Sequence, residues 1–98
     1  MSIKNRERDV EAYLVSGLEK INLPCLKFDP SNRTGMPDRV VLLPSGKVVW
    51  VELKTDNGHL SQLQLLRHKE LERLGHEVVV IWNKEDADNF ISGIREAL

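Results

Sequence analysis

Three side chains in a predicted β-hairpin have the types and spacing that phosphodiester chemistry needs. In the second strand, residues 47–54, side chains alternate between faces, so Glu52 and Lys54 project together about 6–7 Å apart. A turn centred near residue 45 places Glu52 opposite Asp38, to within one residue. Two acids directly across a ladder repel each other, and a divalent cation between them removes the repulsion. Hard oxygen ligands favour Mg²⁺ or Mn²⁺, and Lys54 can hold an attacking water or a phosphate.

Two predicted helices offer further polar side chains on their inward faces. Glu7 falls in the apolar stripe of the first helix, where a carboxylate is costly unless it has a partner. Glu11 lies at the edge of that stripe, which makes Glu7 the better third ligand and leaves Glu11 in reserve. Gln64, on the inward side of the second helix, can orient water or a phosphate oxygen, although an ordinary surface amide fits its spacing equally well. Charged residues on a strand face are most often its solvated side, and each assignment competes with that interpretation.

These side chains require a small framework, which hydrophobic periodicity predicts in the order α-β-β-β-α-β-α. Residues 44–46 have the composition of a hairpin turn, and Gly75 is a stop signal for the second helix. The predicted fold class is α/β, with helices flanking a small mixed sheet. The predicted helices span 4–21, 60–74 and 84–97, and the predicted strands span 25–29, 38–43, 47–54 and 78–82, the last as a buried apolar run.

The composition is that of an ordinary globular protein. The chain has 98 residues, 41% hydrophobic and 30% charged, a balance that excludes a disordered tail and a membrane protein. No apolar stretch follows the charged N-terminus, so no signal peptide is expected and the expected location is the cytoplasm. The single cysteine, Cys25, excludes an intrachain disulfide and a zinc site built from cysteines. The formal net charge is −1, which by itself does not indicate nucleic-acid binding.

Pro37-Asp38 and Glu52-Leu53-Lys54 form a short motif, and further residues surround it in a specific order. The wider string covers nearly the whole chain and reads Glu7-x-x-Val10, Lys27, Gly35-x-Pro37-Asp38-Arg39, Glu52-Leu53-Lys54, Leu60-Ser61-x-Leu63-Gln64 and Leu74-Gly75. This string resembles the VRR-NUC family of the PD-(D/E)xK nuclease superfamily. The resemblance implies a restriction-endonuclease-like core and one nuclease domain over residues 1–98, of the stand-alone type found in phages and bacteria.

The resemblance also implies roles for individual residues. Carried over by position, Glu7, Asp38 and Glu52 bind metal together with the backbone carbonyl of Leu53. Asp38 and Glu52 are also implied to be catalytic. The implied cofactor is Mg²⁺ or Mn²⁺, as one ion or two. Stand-alone members are similar to archaeal-type Holliday junction resolvases and act as homodimers, which implies a homodimer that cuts branched DNA. The remaining catalytic positions are Lys54, as the catalytic lysine, and Gln64, as the helix glutamine of the motif.

Three basic residues, Lys27, Arg33 and Arg39, can contact DNA phosphates, although a solvated surface role suits each of them equally well. The main prediction is a metal-dependent, structure-selective endonuclease that hydrolyses phosphodiester bonds in four-way junctions. The alternatives are a nicking or flap nuclease with the same site, a non-catalytic DNA-binding module, and an α/β protein whose acidic cluster is accidental. The complete set of acids and lysine argues against a decayed site.

Overall fold

The chain folds around a mixed four-stranded sheet. The structure, a computed structural model, describes residues 6–55 and 57–98. The order of elements is the predicted one, and the predicted α/β fold class is confirmed. None of the helices in these residues has the length and apolar character of a membrane span. The elements are α1 (Glu7–Glu19), β1 (Cys25–Lys27), β2 (Arg39–Leu42), β3 (Val48–Leu53), α2 (Gln62–Arg73), β4 (Glu77–Ile81) and α3 (Lys84–Ala97).

The sheet has the order β1-β2-β3-β4 and changes direction once. The first three strands are antiparallel neighbours, whereas β4 runs parallel to β3, with α2 as the connection between them. Arg39 pairs with Val51, so the predicted hairpin register is confirmed. Continued by one residue, this register brings Asp38 opposite Glu52.

The two faces of β3 have opposite characters. Val49, Val51 and Leu53 point into the core, with at most 2% of each exposed. Side chains of α1 and α3 cover that face, and in α1 they recur at the helical spacing of four residues. The opposite face carries Trp50, packed edge-on against Phe28 with ring centroids 5.3 Å apart, and then Glu52. The core on the first face comprises Val10, Leu14, Leu18, Leu23, Cys25, Val41, Val49, Val51, Leu53, Ile81, Ala87 and Ile91.

The helix boundaries follow local capping chemistry. Ser61 accepts the N–H of Gln64 and caps α2. Gly75 ends the helix as predicted, and the structure shows that it does so in a Schellman motif at a φ of 90°. Asn83 caps α3, whose bounds match the prediction in full. The first helix ends earlier than predicted, because Asn22 turns the chain into the left-handed region at a φ of 62°. Residues 4 and 5 of the predicted helix lie outside the described residues.

One predicted burial pattern is wrong. Residues 78–82 were expected to form a buried strand. In β4 only Ile81 is buried, because β4 is an edge strand of the sheet.

The loop that precedes β2 rests on α2. Arg67 donates from Nε to the carbonyl of Thr34 at 3.0 Å, and Arg33 pairs with Glu70 at 2.9 Å. Between these contacts Gly35 has a φ of 87°, a conformation that favours glycine, and its backbone lies directly against α2. The loop therefore delivers Pro37 and Asp38 to the sheet from a fixed support.

We expect Gly35→Ala to destabilise the protein by about 1–3 kcal/mol more than Gly46→Ala, measured by urea unfolding. Both glycines have positive φ, so both variants carry the same type of backbone strain. A Cβ at residue 35 would lie 2.7 Å from Leu63 Cγ, whereas a Cβ at residue 46 would meet nothing within 4 Å. Equal losses in the two variants would show that the loop is not packed tightly on α2.

Candidate active site

Asp38 lies where the hydrogen-bonded ladder between β2 and β3 ends. The register would next place Pro37 opposite Leu53, where a proline has no N–H to donate to the Leu53 carbonyl, so the ladder does not continue. The Leu53 N–H donates to the carboxylate of Asp38, at 2.7 Å. The aspartate side chain therefore lies against the end of β3 rather than in open solvent.

Glu52 is a buried acid, with 1% of its surface exposed. Both carboxylate oxygens contact side chains of α2: Oε2 accepts from Gln64 Nε2 at 3.2 Å, and Oε1 lies 3.3 Å from His68 Nε2. Asp38 is its neighbour on the remaining side, as the hairpin register requires. The predicted acidic pair across the ladder is therefore present.

The environment of Glu52 favours the neutral carboxyl. Burial, the charge of Asp38 and a hydrogen bond to its carboxyl together raise the pKa of Glu52 to about 8, while the charge of Lys54 lowers it. Only a protonated Glu52 can donate a hydrogen bond to Asp38. Burial also lowers the pKa of the facing His68, so the pair carries little charge near neutral pH.

Glu7 and Lys54 lie at the rim of this acidic pair. Burial and the charge of Asp38 raise the pKa of Glu7, and Lys54 lowers it, so these groups lie within range of one another's charges. Glu7 is nevertheless an exposed residue in the first turn of α1. Within residues 6–55 and 57–98, no three acidic, histidine or cysteine side chains are already arranged to hold a metal ion. Of the three carboxylates that were expected to converge, Asp38 and Glu52 are therefore adjacent, whereas Glu7 is exposed to solvent.

Glu11, the alternative metal ligand on the first helix, contacts a different residue. Glu11 accepts from Arg39 Nε at 2.6 Å, and Arg39 Nη1 donates to the carbonyl of Cys25 at 2.7 Å. Both side chains of this ion pair are mostly buried. Glu11 is therefore directed to Arg39 and away from the acidic pair, and Arg39 links α1 to β1 rather than facing a ligand.

The other two predicted DNA-contacting residues differ in their surroundings. Lys27 is exposed at the end of β1. Arg33 is half exposed but pairs with Glu70, which also accepts from Arg67 at 3.1 Å. Of the three basic residues, Lys27 keeps the most accessible charge.

His68 is the site residue that sequence reasoning missed. It is 7% exposed and faces Glu52, one helical turn after Gln64. The signal available in the sequence was this spacing of four residues, because positions i and i+4 share a helix face. Gln64 itself was correctly placed on the inward side, and its amide contacts Glu52.

Comparisons with known proteins agree with this geometry. A solved structure described as a VRR_NUC domain superposes with a TM-score of 0.80 at 29% identity, over 88% of this chain and 94% of that one. "Putative nuclease p44" of Acyrthosiphon pisum secondary endosymbiont phage 1 is 37% identical over 89 residues, which is 91% of this chain and 95% of that protein. The chain belongs to the VRR-NUC family of nucleases. The family inferred from the motif is confirmed, although no family model matches the chain.

We expect Glu52→Gln to stabilise this VRR-NUC protein in metal-free buffer, and the gain to grow as pH rises from 5 to about 8.5. The pKa of Glu52 is raised in the folded state, so its contribution to stability is fully present below pH 4.5 and is lost as pH rises through about 8. Glutamine cannot ionise, so the variant avoids that loss. The difference at high pH should be on the order of a few kcal/mol by urea unfolding.

Glu96→Gln is the control, because Glu96 is an exposed glutamate near the end of α3. It should leave the pH dependence of the unfolding free energy close to that of the wild-type protein. A stability gain from Glu52→Gln that stays constant between pH 5 and about 8.5 would contradict the raised pKa.

Proposed function

We propose that this protein is a divalent-cation-dependent endonuclease that hydrolyses phosphodiester bonds in DNA, with its whole chain acting as one nuclease domain. The observation that carries the proposal is the buried carboxyl of Glu52 held against Asp38 in a chain of the VRR-NUC family. An acid enclosed next to another acid is unfavourable for folding, so a functional reason for it is expected. Lys54 lies at the rim, where a phosphate can reach it.

The donor set fits a divalent cation. Asp38 and Glu52 supply adjacent carboxyl groups, and Glu7 and the Leu53 carbonyl supply further oxygen ligands of the kind that Mg²⁺ and Mn²⁺ prefer. Burial and then the charge of Asp38 raise the pKa of Glu52, and a cation bound to both carboxylates would favour their ionised forms. When bound, the ion lowers the pKa of a coordinated water and neutralises charge on the phosphate.

The side chains around the proposed cation site have separate functions in this proposal. Lys54 places its ammonium group beside the carboxyl pair, where it can orient the attacking water and stabilise the additional charge of the transition state. Asp38 keeps its position through the Leu53 N–H. Gln64 and the buried His68 both contact Glu52, so we assign them a role exerted through that carboxylate.

The position of the site favours a polymeric substrate. A groove of about 720 Å³ lies at the other end of the sheet, between the hairpin turn and α3, and contains none of the site carboxylates. Near the acidic pair, Glu7 is exposed and Asp38 and Lys54 are partly exposed, so a nucleic-acid backbone can approach these groups from outside. We infer DNA, preferably a four-way junction, from the resemblance to stand-alone VRR-NUC proteins. A two-fold junction is matched by a homodimer with two active sites.

We expect Lys54→Ala to lower the cleavage rate of a labelled four-way junction by at least about a hundredfold with saturating Mg²⁺ or Mn²⁺, because the transition state loses its ammonium group. Lys69→Ala is the matched control, since Lys69 is exposed on α2 and should leave cleavage unchanged. Urea unfolding checks that both variants are folded. Full activity of Lys54→Ala would refute the assignment of the catalytic lysine.

The same assay on four-way, flap, nicked and linear DNA ranks the possible substrates. Preferential cleavage of the four-way junction supports the resolvase proposal, and preference for flap or nicked DNA replaces it with the alternative nuclease. Binding without cleavage in either metal would indicate a non-catalytic DNA-binding module. We expect the wild-type protein to sediment at twice the mass of one chain at micromolar concentration, and a monomer would contradict the dimer.

A further inference from the structure

One face of α2 contacts both carboxylate oxygens of Glu52. We propose that His68 is a positioning residue which, together with Gln64, holds the Glu52 carboxylate in the orientation that a bound cation requires. The inference rests on the proposed function, because it concerns the same acidic site. It adds a residue that neither the motif nor the spacing of the acids identifies.

The orientation of Gln64 is fixed by its own second contact. Its Oε1 accepts the backbone N–H of Ser61 at 2.9 Å, as part of the capping box of α2. With the amide oxygen used in this way, Nε2 is the group that faces Glu52, and it can only donate. The start of α2 therefore fixes one half of the contact with the carboxylate.

His68 supplies the other half from the next turn of the helix. Its ring is buried and its Nε2 lies 3.3 Å from Glu52 Oε1, so water does not compete for this contact. An ionised carboxylate can only accept, and the Nε2–H tautomer of His68 is then the donor. Residues four apart lie one above the other on a helix, which lets both donors reach a single carboxylate.

The contacts from Gln64 and His68 of α2 restrict the rotation of the Glu52 carboxylate. The terminal torsion of a glutamate is broad, so burial alone does not fix the plane of its carboxylate. Each carboxylate oxygen has two lone-pair sites, so the contacts with α2 leave one on each oxygen. Asp38 also contacts the Glu52 carboxyl, so a cation held by the positioned Glu52 has the second carboxylate within reach.

The test measures Mn²⁺ affinity by calorimetry on the full-length protein without DNA. His68→Leu keeps the volume of the buried side chain and removes the donor, and we expect the dissociation constant to rise about 10- to 100-fold. His68→Gln restores a donor at a similar reach and should recover most of the affinity. Thermal unfolding in EDTA should show both variants folded, because a buried leucine is well tolerated at this position.

His59→Leu is the matched control, since it makes the same chemical change at an exposed position before α2. It should bind Mn²⁺ like the wild-type protein. Wild-type affinity in His68→Leu, or equal weakness in His68→Gln and His68→Leu, would overturn the positioning role while leaving the proposed nuclease intact. Absence of Mn²⁺ binding by the wild-type protein would overturn both, so the two failures are distinguishable.

Discussion

The placement of two carboxyl groups side by side at the end of a hairpin is the constraint on which the rest of the structure depends. The antiparallel register makes Asp38 and Glu52 neighbours, and Pro37 ends the ladder where Asp38 can take the Leu53 N–H. The arrangement is unfavourable by itself, because Glu52 is enclosed and its pKa is raised to about 8. The surrounding fold must compensate for that cost.

The compensation comes from the two sides of the same strand. On one side, Val49, Val51 and Leu53 bury their side chains against α1 and α3 and supply hydrophobic stabilisation. On the other side, α2 meets the polar atoms of Glu52 with the polar side chains of Gln64 and His68 instead of apolar contacts. A six-residue strand thus carries the core on one face and the chemistry on the other. This separation allows the acidic pair to persist in a small protein.

Local sequence signals predicted the parts of the fold that depend on local physics. The hairpin register follows from the turn at 44–46, and the bounds of α3 follow from apolar periodicity, so both were correct. The partners of Glu11 and His68 could not be predicted, because each depends on how a helix rotates against the sheet. A helical wheel gives the angle of Glu11 but not the position of Arg39, which comes from β2. Tertiary contacts of this kind decide which acid faces the site.

The charge distribution bears on how such a protein could bind DNA. The formal net charge is −1, Arg39 is used in an internal ion pair, and Arg33 is paired with Glu70. Among the described residues, Lys27 is exposed and Lys54 lies within range of the charges of the acidic pair, and both can contact phosphate. Two copies on one junction would double those contacts, and cations at the carboxylates would add positive charge at the phosphates to be cut. In the proposed dimeric, cation-dependent nuclease, selectivity would then depend on the geometry of the two sites.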